Sequence, residues 1–337
     1  MQLSRADAAL SELGGGGRLM PNPHLFIAPY LRREAVLSSR IEGTRTNLDQ
    51  LLKEEAAPRA IPDADLREVQ NYVVALEEGI ALLGQLPLSL RLVRELHARL
   101  MRDVRGGAAT PGEFRREQNW IGGSTIDTAV YVPPPPERLE ELLGGWEIYL
   151  HDRTFPDLIQ IALLHEQFEA IHPFRDGNGR LGRLLVPLFL IERGRLPQPL
   201  LYLSGYLESN RRQYYDLLQA VRTDGAWQKW ILFFLDAVEK SAGAAMHQAS
   251  ELLQLREQLR VQVRRRPQAL ALLDALFRNP YVTIASAARA LAISLPTARS
   301  AVKTLEDDGV LREITGRSWG RLYVSDPILR IIDPPQE

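Results

Sequence analysis

Apolar residues return every three or four positions along most of the chain, the period of a helix with one buried face. The window DLIQIALLHEQFEAI, residues 157–171, is the clearest case, with Leu158, Ile161, Leu164, Phe168 and Ile171 on one stripe. A second apolar helix, RLGRLLVPLFLIERG, is predicted to begin near Asn178. Runs that alternate apolar and polar positions, as a half-buried strand would, are few. The helical pattern breaks at the four glycines 14–17, which read most simply as a flexible joint. It breaks again over NWIGGSTIDTAVYVPPPP, residues 119–136, where Gly-Gly, a polar tip and the β-prone AVYV predict a short hairpin running into a polyproline segment. A further boundary falls near RRRP, residues 264–267. Beyond it the chain reads as three helices, then two short strands around a Gly-rich turn, the outline of a winged helix-turn-helix. No segment repeats at a fixed period. The predicted fold class is mainly α: an all-helical core with a short β-hairpin and a C-terminal winged helix. The expected divisions are residues 1–85, a core over 86–245, a linker helix over 246–270, and the winged helix over 271–337.

Composition narrows the function classes. The 337 residues suffice for two or three domains of roughly 100–200 residues. The 41 Lys and Arg balance 42 Asp and Glu, so no overall field commits the chain to nucleic acid or a membrane surface. Zero cysteines exclude disulfides, thiolate metal sites and a cysteine nucleophile. The first residues lack an apolar core of signal-peptide length, and no apolar run reaches about 18 residues. The expectation is a soluble, cytoplasmic protein without a membrane segment.

Candidate chemistry concentrates in HPFRDGNGR, residues 172–180, where the exit of one helix meets the start of the next. Gly177 and Gly179 permit the backbone angles of an anion nest, and the new helix offers unpaired N–H groups with partial positive charge. Phosphate is the natural occupant. Arg180 and Arg183, three apart, emerge on nearly one face and can reach successive phosphates. Asp176 is a single hard carboxylate, suited to Mg2+ shared with nucleotide phosphates. His172 can take a proton from an attacking hydroxyl, and Phe174 is expected to point into the core and pin the loop. Singly, each has an ordinary role: Asp176 or Asn178 as a helix cap, the glycines as a tight turn, the arginines as solvated side chains. Arg175 has no assigned task.

The stretch HPFRDGNGRLGR, residues 172–183, resembles the signature of the Fic family at every fixed position. The resemblance implies an all-helical core and transfer of AMP from ATP to a hydroxyl side chain of a protein. It implies that His172 is the general base, Asp176 the Mg2+ ligand, and Gly177, Asn178 and Gly179 the anion hole. Arg180 would then assist the phosphates and Arg183 hold the γ-phosphate. Glycine at 177 matches the adenylylating branch; the branch that phosphorylates its target carries lysine there.

Other segments extend the resemblance. LSSRIEGT, residues 37–44, sets Ser38 and Glu42 one helical turn apart, with Gly43 placed to end the helix. A serine and a glutamate at that spacing are usually an exposed pair, but the segment is similar to the family's inhibitory motif, in which Glu42 would pair with Arg183 and misplace the phosphates of ATP. REVQNYVVAL, residues 67–76, is similar to the family's amino-terminal region and is assigned only packing. The hairpin at 119–132 resembles the family's flap, which implies edge pairing with an extended target segment; Ile126 and Tyr131 are candidates to clamp the target side chain, or to pack the hairpin itself. In ESNRRQYYDLL, residues 208–218, Asn210 and Tyr214 are the candidates to flank adenine, with a core role the alternative for the aromatic.

In the tail, Leu295 and Pro296 open a helix carrying Thr297, Arg299, Ser300 and Lys303 near its start, as a recognition helix would. Residues 251–337 hold only 13 Lys and Arg against 10 Asp and Glu, with Glu306, Asp307 and Asp308 on that same helix. DNA binding and protein binding both stay open. The expected activity is a protein adenylyltransferase, with ATP and Mg2+ and a target protein carrying a Ser, Thr or Tyr hydroxyl. The alternatives are removal of AMP at the same site, or a DNA-binding regulator whose core senses a nucleotide. Self-modification and a homodimer stay open.

Overall fold

The computed structural model describes residues 1–19, 24–58, 63–104, 110–263 and 266–334. The helices before the flap are α1 (Gln2–Leu19), α2 (His24–Ile41), α3 (Leu48–Ala56), α4 (Ala64–Leu83) and α5 (Leu90–Leu100). The flap segment leads to α6 (Leu139–Leu150), α7 (Asp157–Ile171), α8 (Asn178–Glu192), α9 (Ser204–Ser209), α10 (Arg211–Asp224) and the long α11 (Trp227–Gln262). The tail contains α12 (Pro267–Leu276), β1 (Tyr281–Thr283), α13 (Ile284–Leu291), α14 (Leu295–Asp307), β2 (Arg312–Glu313), β3 (Leu322–Val324) and α15 (Asp326–Ile332). Among the described residues no helix is long and apolar enough to cross a membrane.

The centre of the fold is α7 and α8. All five residues of the predicted α7 stripe are buried, and α8 is buried without a break from Arg180 to Leu190. Two indoles anchor α7: Trp146 Nε1 donates to the Leu164 carbonyl at 3.0 Å and Trp230 Nε1 to the Ala162 carbonyl at 2.8 Å. A buried carboxylate ties α2 to this centre. Glu34 accepts from the Ser204 N–H at 3.1 Å, from the Ser204 hydroxyl, and from Tyr72 at 3.3 Å, so one acidic side chain joins α2, α4 and α9.

Three expectations change. The glycines 14–17 are no joint; they lie within α1, which packs along α11. A Cβ on Gly14 would come within 2.9 Å of the Arg195 carbonyl, and one on Gly17 would overlap the Leu200 side chain. Lack of a side chain there serves close packing rather than backbone freedom. The hairpin at 119–136 shrinks to one antiparallel bridge, Ile121 with Tyr131, around a 3-10 turn at Ile126–Thr128. Gly122 and Gly123 at φ +70 and +72, and the Thr128 hydroxyl accepting from the Ser124 and Thr125 N–H groups, curl the tip away from a longer ladder. The winged helix has three strands, in the order β1-β3-β2, not two. Asn279-Pro280 ends the preceding helix, so Tyr281-Val282-Thr283 pairs with β3, Tyr281 opposite Val324.

Its helices start on strong caps: Thr283 and Ser286 cap α13 reciprocally, and Ser294 caps α14. The division drawn at residue 245 falls inside α11, which carries the core directly into the tail. Of the boundary at 264–267, Arg264 and Arg265 lie outside the described residues.

Candidate active site at the α7–α8 turn

α7 ends in a left-handed residue, His172, at φ 49 and ψ 59. Its N–H still caps the helix on the Phe168 carbonyl at 3.0 Å, and Pro173 forbids continuation. The turn is gripped from three sides. The buried Arg115 donates to the carbonyls of His172 at 2.9 Å, Ile171 at 3.4 Å and Pro134 at 2.5 Å. Asn178 clasps Phe174 by its backbone, accepting from its N–H at 2.9 Å and donating to its carbonyl at 2.8 Å. Phe174 is buried, as expected, and stacks on His97, with centroids 3.7 Å apart and planes 11° from parallel. His97 Nδ1 accepts the Gly112 N–H at 2.9 Å, so Nε2 carries the proton and donates to the Asp176 carbonyl at 3.0 Å. Burial pushes the His97 imidazole down to about 4, which preserves that donor–acceptor pattern at neutral pH.

This grip shapes the anion nest. Gly177 sits at φ 78, where a Cβ would lie 2.7 Å from Met101 Sδ, and α8 begins at Asn178 with its first N–H groups lacking helical partners. The Asn178 side chain, 1% exposed, holds the loop, leaving its backbone for an anion. The Asp176 side chain is 60% exposed, with Arg180 at 3.7 Å and its Oδ1 accepting the Gly177 N–H at 2.6 Å. Among the described residues no group of three or more His, Cys, Asp or Glu could hold a metal alone. The exposed Asp176 carboxylate beside a phosphate nest therefore fits Mg2+ only where nucleotide phosphates complete the shell.

The His172 ring is half-buried, and its Nδ1 has no hydrogen-bond partner. Burial pushes the imidazole down to about 4, against a smaller upward pull from the Glu169 carbonyl and the Glu42 charge. A depressed pKa keeps the ring neutral, as a base must be, and protonation switches it off only in acid. Activity that needs this base should hold as pH falls through 6.5, the ordinary histidine value, and drop only toward 4. An initial-rate profile with its acid limb near 6.5 would refute the assignment.

Both signature arginines are occupied, and they face different ways. Arg183, with 1% of its side chain exposed, donates through Nε to Ser38 Oγ at 2.9 Å, and through Nη2 to the Ser38 carbonyl at 2.9 Å and Glu42 Oε1 at 2.6 Å. Glu42 overhangs the start of α8 so closely that a Cβ on Gly179 would overlap its carboxylate. Gly43, at φ 100, then turns the chain off α2 as expected. Arg180 does not share this face: its Nη1 donates to Glu68 on α4 at 2.9 Å, and Glu68 also accepts from the Thr44 hydroxyl at 3.2 Å.

Elsewhere the candidates divide. Ile126, 42% exposed, stands at the tip of the 119–136 segment. The Tyr131 hydroxyl is committed to the Ala170 carbonyl at 2.9 Å and its ring lies 4.0 Å under Arg222, so it anchors the flap. Tyr214 is core, 1% exposed and bonded to His165 Nε2 at 2.8 Å, which corrects its assignment to adenine. Asn210 bonds the Tyr206 carbonyl at 2.9 Å at the junction of α9 and α10. The neighbouring Tyr215, 38% exposed, is the ring turned toward the site: burial and then the Glu42 charge push its hydroxyl up to about 12. Glu169 escaped the sequence reading. It is buried, its Oε1 has no partner, and burial pushes it up to about 7 beside Arg183 and Glu42. The signal was there, a glutamate inside an apolar helix three residues before His172. His97 and Arg115 gave no local signal, and Glu68 lies in the stretch 67–76, assigned only packing.

Three family models match parts of the chain. Residues 1–81 match the family model described as Fic/DOC family N-terminal, residues 87–190 match Fic/DOC family, and residues 265–312 match winged helix-turn-helix DNA-binding. A relative from Drosophila grimshawi named protein adenylyltransferase Fic is 32% identical over 222 residues, 64% of this chain and 42% of that protein. One of the same name from Aedes aegypti is 32% identical over 168 residues, 49% of this chain and 30% of that protein. The chain thus spans less than half the length of these relatives. A crystal structure of a Fic family protein from Desulfovibrio desulfuricans superposes with a TM-score of 0.58 at 22% identity, over 96% of this chain and 95% of that one.

Proposed function

The chain belongs to the Fic/DOC family, and from that premise we propose that it is a protein adenylyltransferase, restrained by Glu42, that moves AMP from ATP to a Ser, Thr or Tyr hydroxyl of a target protein. The observation that carries the reading is the His172 imidazole, its Nδ1 without a partner and its pKa held down by burial, at the mouth of a helix start whose arginine already holds a carboxylate. Backbone N–H groups of Asn178 and Gly179 at the start of α8 cradle the phosphates, joined by that of Gly177 once it leaves the Asp176 carboxylate. Mg2+ held by Asp176 would offset phosphate charge.

His172 takes the proton of the target hydroxyl. The hydroxyl oxygen bonds to the α-phosphorus, the bond from that phosphorus to its bridging oxygen breaks, and pyrophosphate leaves with the electron pair. Arg183, once Glu42 moves off, is free for the γ-phosphate; while Glu42 holds it, the triphosphate lies out of line for attack, and small misplacements are costly. The flap around Ile121 and Tyr131 presents Val130 and Val132, 65% and 43% exposed, to an extended target segment. The cysteine-free composition suits the cytosol.

Incubating the chain with Mg2+ and a lysate should transfer label to protein from ATP labelled at the α-phosphate, and none from ATP labelled at the γ-phosphate. Label from the γ-phosphate alone would make it a kinase, and loss of AMP from a premodified protein without ATP would reverse the direction of the reaction.

A further inference from the structure

The inhibitory helix is held on its far side by the winged-helix domain. Seven positions after Glu42, Asp49 on α3 accepts a hydrogen bond from the Tyr281 hydroxyl on β1. Asn279 donates to the Leu52 carbonyl at 2.9 Å and to Glu55 at 3.4 Å, and Lys53 lies 5.3 Å from the centroid of the Tyr281 ring. At the other end of the domain α15 packs on α2 and α11: Asp333 faces Arg33 and Arg40 of α2, and the Ile331 carbonyl accepts from Gln248 at 3.4 Å. Between these clamps the connection from Glu42 to α3 is short and taut, with the Arg45 N–H on Asp65 at 3.0 Å and Asn47 and Gln50 capping α3 reciprocally.

The opposite face of the same domain is free. Arg299, Ser300 and Lys303 on α14 are exposed, and Arg299 and Lys303 border one groove with Arg321 and the 82% exposed Trp319 of the β2–β3 wing, Glu306 beside them. Asp308 is turned away, toward Arg266 at 3.8 Å. A cationic helix start beside a cationic wing fits the phosphates of double-stranded DNA. The two faces are joined through the sheet, because the wing strand β3 is the hydrogen-bonded neighbour of β1.

Resting on the adenylyltransferase reading with Glu42 as its brake, we infer that the winged helix is a latch on that brake, and that duplex DNA on the α14–wing face loosens it and raises AMP transfer. The sign follows from charge: α3 carries Asp49, Glu54 and Glu55 against Lys53 and the Arg32 of α2 that pairs with Glu55 at 2.7 Å, a net negative balance, so a polyanion on the domain disfavours the docked α3, most strongly at low salt. By linkage, whatever factor DNA adds to the affinity of a nucleotide that displaces Glu42, that nucleotide adds to the affinity for DNA.

The test uses the full chain with α-labelled ATP and Mg2+ at low salt, with and without random-sequence duplex DNA. Tyr281→Phe and Asn279→Ala should raise labelling several-fold without DNA and speed amide exchange over residues 42–47. DNA should raise wild-type labelling several-fold, do nothing further in Glu42→Gly, and lose its effect in the Arg299→Ala, Lys303→Ala double variant. Wild-type labelling and exchange in both interface variants would overturn the latch. So would a DNA effect that is absent, inhibitory, or equal in Glu42→Gly. Failure of Glu42→Gly itself to exceed wild type would instead remove the brake reading on which the latch rests.

Discussion

His172→Ala, made in a Glu42→Gly background so that the starting rate is measurable, lowers AMP transfer by about 10²- to 10⁴-fold, the usual contribution of a positioned general base. ATP affinity should change little, because the phosphates are met by α8 and Arg183 and not by the imidazole. His172 occupies the left-handed region at φ 49, where alanine is strained, so His172→Asn is the better-folded companion variant. Initial rates of label transfer and calorimetric ATP binding together check this. A large loss of affinity with an unchanged saturating rate would move His172 from the chemistry to the binding of nucleotide.

Glu42→Gly has the second-largest effect and the opposite sign. The carboxylate holds Arg183 through a 2.6 Å charge-assisted bond. Hydrogen bonds to charged groups contribute about 1.5–3 kcal/mol, and 1.4 kcal/mol is a factor of ten, which brackets the rise between about 10- and 100-fold. The Glu42 side chain is 34% exposed, and solvent screening moves the expectation to the lower end, about tenfold. Ser38 keeps two bonds to Arg183 in the variant, so the guanidinium should stay in position to meet a γ-phosphate. The rise in labelling should saturate at lower ATP if the brake obstructs the phosphates. A wild-type rate in Glu42→Gly would mean that the pair with Arg183 is only structural.

The parts of this site that were legible in the sequence are those whose partners are close in the chain. His172, Asp176 and the glycines share one turn, and the α7 stripe repeats at helical period, so local pattern was enough. The brake was not legible from spacing: Glu42 meets Arg183 across 141 positions, and only the resemblance of the Ser38–Gly43 stretch pointed there. Arg180 and Arg183, expected on nearly one face, part company because Glu68 and Glu42 approach α8 from different helices. Tyr214 and Tyr215 are adjacent, and only the packing of α10 decides which ring is buried and which faces the site. The four glycines of α1 misled because composition reports backbone freedom and is blind to a neighbouring helix in contact. His97 and Arg115, which hold the turn, come from distant segments and have no motif of their own, and the stretch containing Glu68 showed its resemblance but not its partner Arg180.

The most direct measurement is a crystal structure of Glu42→Gly with Mg2+ and a non-hydrolysable ATP analogue. The triphosphate should lie along residues 177–179 with the cation on Asp176, the γ-phosphate on the Arg183 guanidinium, and the α-phosphorus open to His172 on the flap side. A nucleotide bound elsewhere, or an α-phosphate turned away from the imidazole with Arg183 unengaged, would contradict the account.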